Sequence, residues 1–311
     1  MILVVTPNPA LERVALVEQF TSGEPQKPMR VATYAGGSGL RAANVARLLG
    51  ADVLALGLAG GHLGALLRDC LNRQDIPHVI TSIAGETRGD FLLLDKQQGI
   101  ITEIPEDPPA ILDIEADKLL ASLERHLTDA RALIVADGHG ESGARLVARV
   151  IASAKASGVP VIADVRAEAL EAAIEGQAWF LRVSLKTLQR RTERSLQHDS
   201  AIVTEARGLL ARGVGSICVT LGEDGALLIN NESAWRCMPP VVSHFNPTGC
   251  GETLTAAFAA QWVRGSGALE AVRYGCAAAS VNVTHDEPGY ATAAEINILL
   301  SKTTLEKVIL R

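Results

Sequence analysis

What the chain lacks narrows it first. Its 311 residues include 5 cysteines, Cys70, Cys218, Cys237, Cys250 and Cys276, with neither a C-x-x-C pair nor a metal-ligand spacing with histidines. That excludes a disulfide framework and a cysteine-built metal site, and it reads as reduced thiols in a cytosol. There is no basic excess either. With 29 Lys+Arg against 35 Asp+Glu the net charge is −6, which gives no global attraction for nucleic acid or an anionic bilayer, so any phosphate site must be local. No apolar run has the length of a membrane span: residues 53–67 are too few, and Gly57, Gly60, Gly61, His62 and Gly64 interrupt them. The first six residues lack a basic n-region and run into Pro7-Asn8-Pro9, so they read as a buried first strand and not a signal peptide. No internal repeat, low-complexity tract or Pro/Ser linker divides the chain. The expectation is a cytoplasmic protein with small molecules as partners, and neither nucleic acid nor membrane.

What is present is a large core. At 48% hydrophobic content the chain can bury one sizeable α/β domain. Short β-rich runs, Leu133–Ala136, Val159–Ala163, Trp179–Leu181 and Ser216–Thr220, alternate with helix-length amphipathic stretches such as Ser142–Ser157 and Asp199–Arg212, which Gly158 and Gly213 are placed to stop. This is the pattern of parallel strands joined by crossover helices, a doubly wound sheet. Two regions, about 12–35 and 87–104, instead read as alternating strands without helices (Arg13–Val17; Phe91–Asp95 turning at Gln97-Gln98-Gly99 into Ile100–Thr102). They are expected to pair into a small sheet standing off the main body, a discontinuous β lid on one domain spanning 1–311. Its apolar face would be partly wet in a monomer, which predicts a homodimer through the lid.

Near the C-terminus, Asn246-Pro247-Thr248-Gly249-Cys250-Gly251-Glu252 precedes the helical run Thr253–Trp262. Closely spaced glycines opening a helix let backbone N–H groups face an anion, and the helix dipole adds favourable potential there. A carboxylate beside such a nest suits phosphoryl transfer to an alcohol, because it can accept the hydroxyl proton while the backbone holds the developing charge. Gly249, Cys250, Gly251 and Glu252 are therefore the candidate catalytic residues. The segment resembles the signature of PfkB-type, ribokinase-like carbohydrate kinases, which usually reads Gly-Ala-Gly-Asp with the Asp as base. Glu252 stands in its place, one methylene longer.

The resemblance extends through the chain. Thr220-Leu221-Gly222-Glu223-Asp224-Gly225 is similar to the family's strand-turn segment beside the ATP phosphates and ribose, which implies Thr220, Gly222 and Gly225 at the nucleotide. The small-residue stretch Tyr274–Asn282 resembles the helix that closes the adenine pocket, which implies Asn282 as a contact. Leu181-Arg182-Val183-Ser184-Leu185-Lys186 takes the place of a Lys-Pro-Asn segment that positions nucleotide and Mg²⁺, with Ser184 where the Asn stands.

On the acceptor side, Asn8-Pro9-Ala10-Leu11-Glu12 resembles the opening of the 1-phosphofructokinase and tagatose-6-phosphate kinase branch, in which an Asp at the position of Glu12 holds sugar hydroxyls. Gly36-Gly37-Ser38-Gly39-Leu40-Arg41 is similar to a Gly-Gly-Lys-Gly turn leading to Asn, so Gly37, Ser38 and Arg41 are implied at the sugar. Gly85-Glu86-Thr87-Arg88 matches the same branch, whose Arg meets the phosphate already on the substrate. A planar guanidinium suits that dianion, and Arg88 with Arg41 would form a clamp. Asp137 and His139, at the C-terminal end of a strand, lie where open α/β sheets bind ligands.

The resemblance implies a ribokinase-like three-layer αβα fold and an ATP- and Mg²⁺-dependent kinase acting on a primary hydroxyl of a ketohexose phosphate such as fructose 1-phosphate or tagatose 6-phosphate. The altered residues Glu12, Ser38, Arg41, Ser184 and Glu252 motivate one alternative, a sugar-phosphate-binding relative that transfers phosphate weakly or not at all. Another is a free-sugar or nucleoside kinase, in which Arg88 and Arg41 would face no anion.

Overall fold

In the computed structural model, which describes residues 1–166 and 168–309, ten strands form one sheet in the order β14 (Thr304–Lys307), β13 (Ala234–Met238), β12 (Ala226–Ile229), β11 (Ser216–Thr220), β10 (Phe180–Ser184), β9 (Val161–Val165), β8 (Ala132–Asp137), β1 (Ile2–Thr6), β4 (Val53–Ala59), β5 (His78–Ser82). From β11 to β5 every pairing is parallel, and β12, β13 and β14 add on antiparallel. Strands such as β1, five buried residues in a row, are apolar on both sides because helices cover both faces. One face packs α3 (Asp113–Leu127), α4 (Gly140–Ala156), α5 (Glu168–Glu175), α6 (Leu185–Thr192) and α7 (Asp199–Leu210). The other packs α1 (Ser38–Leu48), α2 (Gly61–Arg73), α8 (Cys250–Val263), α9 (Ala268–Asn282) and α10 (Ala293–Leu300). The three-layer doubly wound fold is the one the sequence implies.

Expected and observed elements differ mainly at their ends. β11 coincides with its expected span, whereas β9 starts at Val161 because Pro160 has no N–H for the ladder and serves it through its carbonyl, which accepts from Leu133. β10 runs from Phe180 on to Ser184, which then caps α6. Gly158 and Gly213 follow their helices at positive φ, 70° and 103°.

Four more strands form a small separate sheet, β3 (Arg30–Gly36), β2 (Ala10–Val17), β6 (Arg88–Asp95), β7 (Ile100–Pro105). β2 runs parallel to β6; the outer pairs are antiparallel. Alternation gives it two unlike faces. Val14, Leu92 and Leu94 build a minor core on one side, and the same register puts Glu12 beside Asp90 there. The opposite side carries exposed Val31, Phe91 and Ile104. Among the described residues no helix is long and apolar enough to cross a membrane.

Candidate active site

The start of α8 is built around one left-handed residue. Gly249, at φ 87°, is the helix N-cap, and a Cβ there would stand 2.5 Å from the backbone nitrogen of Gly289, so only glycine fits. Fully buried Asn246 shapes the approach, accepting from the Thr248 amide at 2.9 Å and donating to the Asp286 carbonyl at 3.0 Å. The amide of Cys250 donates to the Pro247 carbonyl at 3.2 Å, so that donor is already engaged. The amides of Gly251 and Glu252 belong to a first helical turn, which has no carbonyls behind it to bond. The Cys250 thiol turns towards α9, donating to the Ala279 carbonyl and accepting from Asn282, and burial pushes it up to about 12.

Glu252 lies in a cage of arginines. Its Oε1 accepts from Arg166 Nη2 at 3.0 Å and lies 3.8 Å from Arg41 Nη1. Arg182 approaches from below: a Cβ on Gly251 would stand 2.5 Å from its Nη2. Burial alone would raise the Glu252 carboxyl, but the charges of Arg166, Arg41 and Arg182 outweigh it and hold the group at about 2. Arg182 forms a buried ion pair with Asp164, which also accepts from Thr255 Oγ1 at 2.7 Å. Nη2 of Arg182 makes that pair, and its Nε finds no hydrogen-bond acceptor among the described residues.

Arg41 is held from the other side. It grips fully buried Glu12 through two contacts, Nη2 to Oε1 at 2.6 Å and Nε to Oε2 at 3.1 Å. The Gly37 amide donates to the same carboxylate at 2.7 Å. Although burial works against its charge, Glu12 and Glu252 keep Arg41 more firmly protonated than an ordinary arginine. Glu103, on β7 of the small sheet, lies 3.9 Å from Arg41.

These groups open onto a cavity of about 680 Å³. Its walls include Thr220 and the 3₁₀ turn Gly222–Asp224, then Gly225, Pro239–Val242 and His244. Pro247, Thr248 and the first turn of α8 follow, then Cys276, Ala279, Ser280 and Val283, and finally Arg41, Glu103, Arg166 and Arg182. Gly225 sits at φ 86° where a Cβ would fall 2.0 Å from the Cys237 carbonyl oxygen. Thr220, Gly222 and Gly225, expected at the nucleotide, are thus brought together with the segment 249–252 and Arg41.

Several other expected residues are placed elsewhere. Asn282 is fully buried and works as a brace, accepting from the Gly289 and Tyr290 amides and from Thr253 Oγ1 while donating to the Thr248 carbonyl. With those partners it has no side to offer a nucleotide. Ser184 caps α6, its Oγ accepting from the Thr187 amide at 3.1 Å. Asp137, at φ 68°, accepts from the Ser38 and Gly39 amides and from Thr6 Oγ1. It is an internal anion at the start of α1, favoured by that helix's dipole, and it leaves Ser38 buried with its amide engaged. His139 gives its amide to Asn8 Oδ1, and burial lowers its imidazole.

Arg88 is the largest correction. Its Nη1 contacts both oxygens of Asp90 at 3.0 and 2.8 Å, and Nε and Nη2 reach the Asn8 carbonyl. The expected clamp of Arg41 with Arg88 is not formed, because the i, i+2 partner on its own strand captures Arg88. Arg166, not Arg88, is the arginine that joins Arg41 at Glu252. Sequence reasoning missed Arg166 and Arg182, yet a signal was available: both stand at or near the C-terminal ends of central parallel strands, where ligands bind in this architecture.

The residues present do not fit a protein-ligated magnesium ion. Among the described residues no three acidic, histidine or cysteine side chains converge, and Asp164 and Glu252 are each occupied by arginine.

The fold has well-matched counterparts among solved structures. A protein described as a possible 1-phosphofructokinase from Thermotoga maritima superposes with a TM-score of 0.89 at 21% identity, covering 99% of this chain and 100% of the other. Phosphofructokinase-2 from Escherichia coli, solved with fructose 6-phosphate, gives 0.85 at 20% identity over 97% and 98% of the two chains. At such identities the likeness concerns the fold. The sequence itself matches the model of the pfkB family carbohydrate kinases over residues 9–294. That match covers most of the chain, including the glycine-opened helix and its carboxylate, and the chain therefore belongs to the pfkB family of carbohydrate kinases, phosphotransferases with an alcohol group as acceptor.

Proposed function

We propose that the chain transfers the γ-phosphoryl group of ATP to a primary hydroxyl of a ketohexose phosphate, with fructose 1-phosphate and tagatose 6-phosphate as the acceptors to which its sequence points. The observation that carries this reading is the convergence of Arg41, Arg166 and Arg182 on one buried carboxylate in the cavity that also contains the Gly222–Gly225 turn. A free sugar would bring a single phosphate chain to that charge, whereas a sugar phosphate brings a second anion. The names of the solved neighbours, phosphofructokinases among them, support the same substrate class.

In this reading Thr220, Gly222 and Gly225 hold the nucleotide. Glu252 takes the acceptor's hydroxyl proton, and the amides of Gly251 and Glu252 face the transferring group, with the Arg182 charge behind them. Arg41, held in place by fully buried Glu12, forms part of the wall of the acceptor site, and Arg166 meets its phosphate. Magnesium enters only as a companion of the nucleotide phosphates, and no step is assigned to it. The small sheet, from about 12–35 and 87–104, acts as a lid on one domain of 311 residues, in a cytoplasmic homodimer.

A second reading has its own observation. Glu252 is covered by Arg166 and Glu12 is tied to Arg41, which favours a weak or inactive relative that binds sugar phosphate. One experiment separates the two: ADP release measured with ATP, Mg²⁺ and a panel of hexose phosphates and free sugars. Acceptor-dependent turnover that drops by at least about 10²-fold in Glu252→Gln supports the kinase. Thermal stabilisation by a sugar phosphate without turnover supports the relative.

A further inference from the structure

Glu252 presents a steric problem for the reaction just proposed, on which this inference rests. A base must come within about 2.6–3.2 Å of the hydroxyl it deprotonates, and the carboxylate is only 3% exposed, with Arg166 across one oxygen at 3.0 Å. One of the caging arginines has to yield. Arg41 is 8% exposed and bound twice to fully buried Glu12, so releasing it would strand a buried charge. Arg182 is locked beneath Gly251 and paired with Asp164. Arg166 differs from both. Its side chain is 53% exposed, it follows the last residue of β9, and it holds Glu252 through one guanidinium nitrogen. Such a half-solvated contact is weak and readily exchanged.

We infer that Arg166 is an acceptor-operated cover: in the ligand-free enzyme it occupies Glu252, and the phosphate of the incoming acceptor draws it away, which uncovers the base only for phosphorylated acceptors. A phosphate dianion outcompetes a carboxylate for a guanidinium, because it carries more charge and offers the planar fork paired oxygens. A sugar hydroxyl is neutral and has no such pull. The exchange makes and breaks no covalent bond. Arg166 would thus set specificity, and it turns the extra methylene of Glu252 from a defect into the reach that engages the cover.

The test compares kcat/KM for a sugar phosphate with that for the same sugar unphosphorylated, in the wild type and in Arg166→Gln. The variant is expected to lower the ratio by at least about tenfold, the worth of one charge-assisted contact. Equal losses for both acceptors would overturn the inference and leave Arg166 a packing residue. A second arm needs no turnover: calorimetric binding of inorganic phosphate and of fructose 1-phosphate without nucleotide. Affinity should fall at least about tenfold in Arg166→Gln and rise in Glu252→Gln and Glu252→Asp, where the competing carboxylate is neutralised or withdrawn. Affinity in both Glu252 variants that is unchanged or weaker, in protein with native circular dichroism, sinks the inference. If ADP never forms yet anion affinity moves as stated, the kinase reading fails and the cover stands.

Discussion

In the proposed transfer Glu252 has two tasks that pull in opposite directions. It must stay ionised in a buried place, which the three arginines secure, and it must remain basic enough to take a proton, which the same arginines oppose. A sugar hydroxyl gives up its proton late in phosphoryl transfer, so positioning outweighs basicity here. The pH consequence has a definite sign. The carboxyl is held at about 2 against an ordinary 4.5, so its contribution to stability is complete above pH 4.5 and is lost as pH falls through about 2. A shift of that size corresponds to about 3 kcal/mol. Acid denaturation should therefore show a stability loss in this window that is absent from Glu252→Gln, and chemical denaturation at pH 2, 3, 4 and 5 would measure it. Activity should show no acid limb owed to Glu252 at pH 5–8. A limb near pH 6 in kcat/KM would belong to the acceptor phosphate, whose second ionisation lies at about 6.

Among the elements, the start of α8 carries the most constraint. Gly249 and Gly289 approach backbone to backbone, and Asn282 on α9 ties both segments together. Gly249→Ala adds a Cβ at positive φ against a backbone that cannot swing aside, so it should cost roughly 3 kcal/mol or more, above the 1–3 kcal/mol of conformational strain alone. Gly251→Ala meets only the end of the Arg182 side chain. It should cost less stability but displace the charge behind the phosphoryl site, so urea midpoints and kcat should rank the two variants in opposite orders. This helix start was legible in the sequence because glycine spacing reports a local backbone need. The β strands and their helical partners were legible for a similar reason, since periodicity records which face is buried. The partner of each arginine was not, because pairing is decided by which strands lie side by side. Arg88 is a partial exception. Arg88-Gly89-Asp90 places two opposite charges on one face of one strand, and that spacing was a signal for the Arg88–Asp90 pair that the reading of Arg88 as a phosphate contact passed over. Asn282 misled for the opposite reason: a polar residue at the end of a small-residue helix looks like a ligand contact until its six protein partners are seen.

At the scale of the whole molecule, the small sheet connects chemistry and assembly. Its inner face brings Glu12 and Glu103 to Arg41, so any movement of the sheet changes the charges around the acceptor. Its outer face is apolar where it should be wet: Phe91 pairs with Ile104 across β6 and β7, and Val31, on β3, is also exposed. Isolated apolar residues on a surface mean little, but a cross-strand cluster on an open four-stranded sheet is the kind of face that a second copy covers. The chain of 32.8 kDa should sediment at micromolar concentration as a dimer. Ile104→Glu should shift it to monomer, because the change puts a charge on that apolar face without touching the inner face. Since the same sheet carries Glu103 and Glu12, the monomeric variant should lose acceptor affinity, seen as a raised KM, while ATP affinity is kept. A wild type that sediments as a monomer would remove the dimer, and a variant that becomes monomeric with KM unchanged would show that the lid closes within one chain, without help from its neighbour.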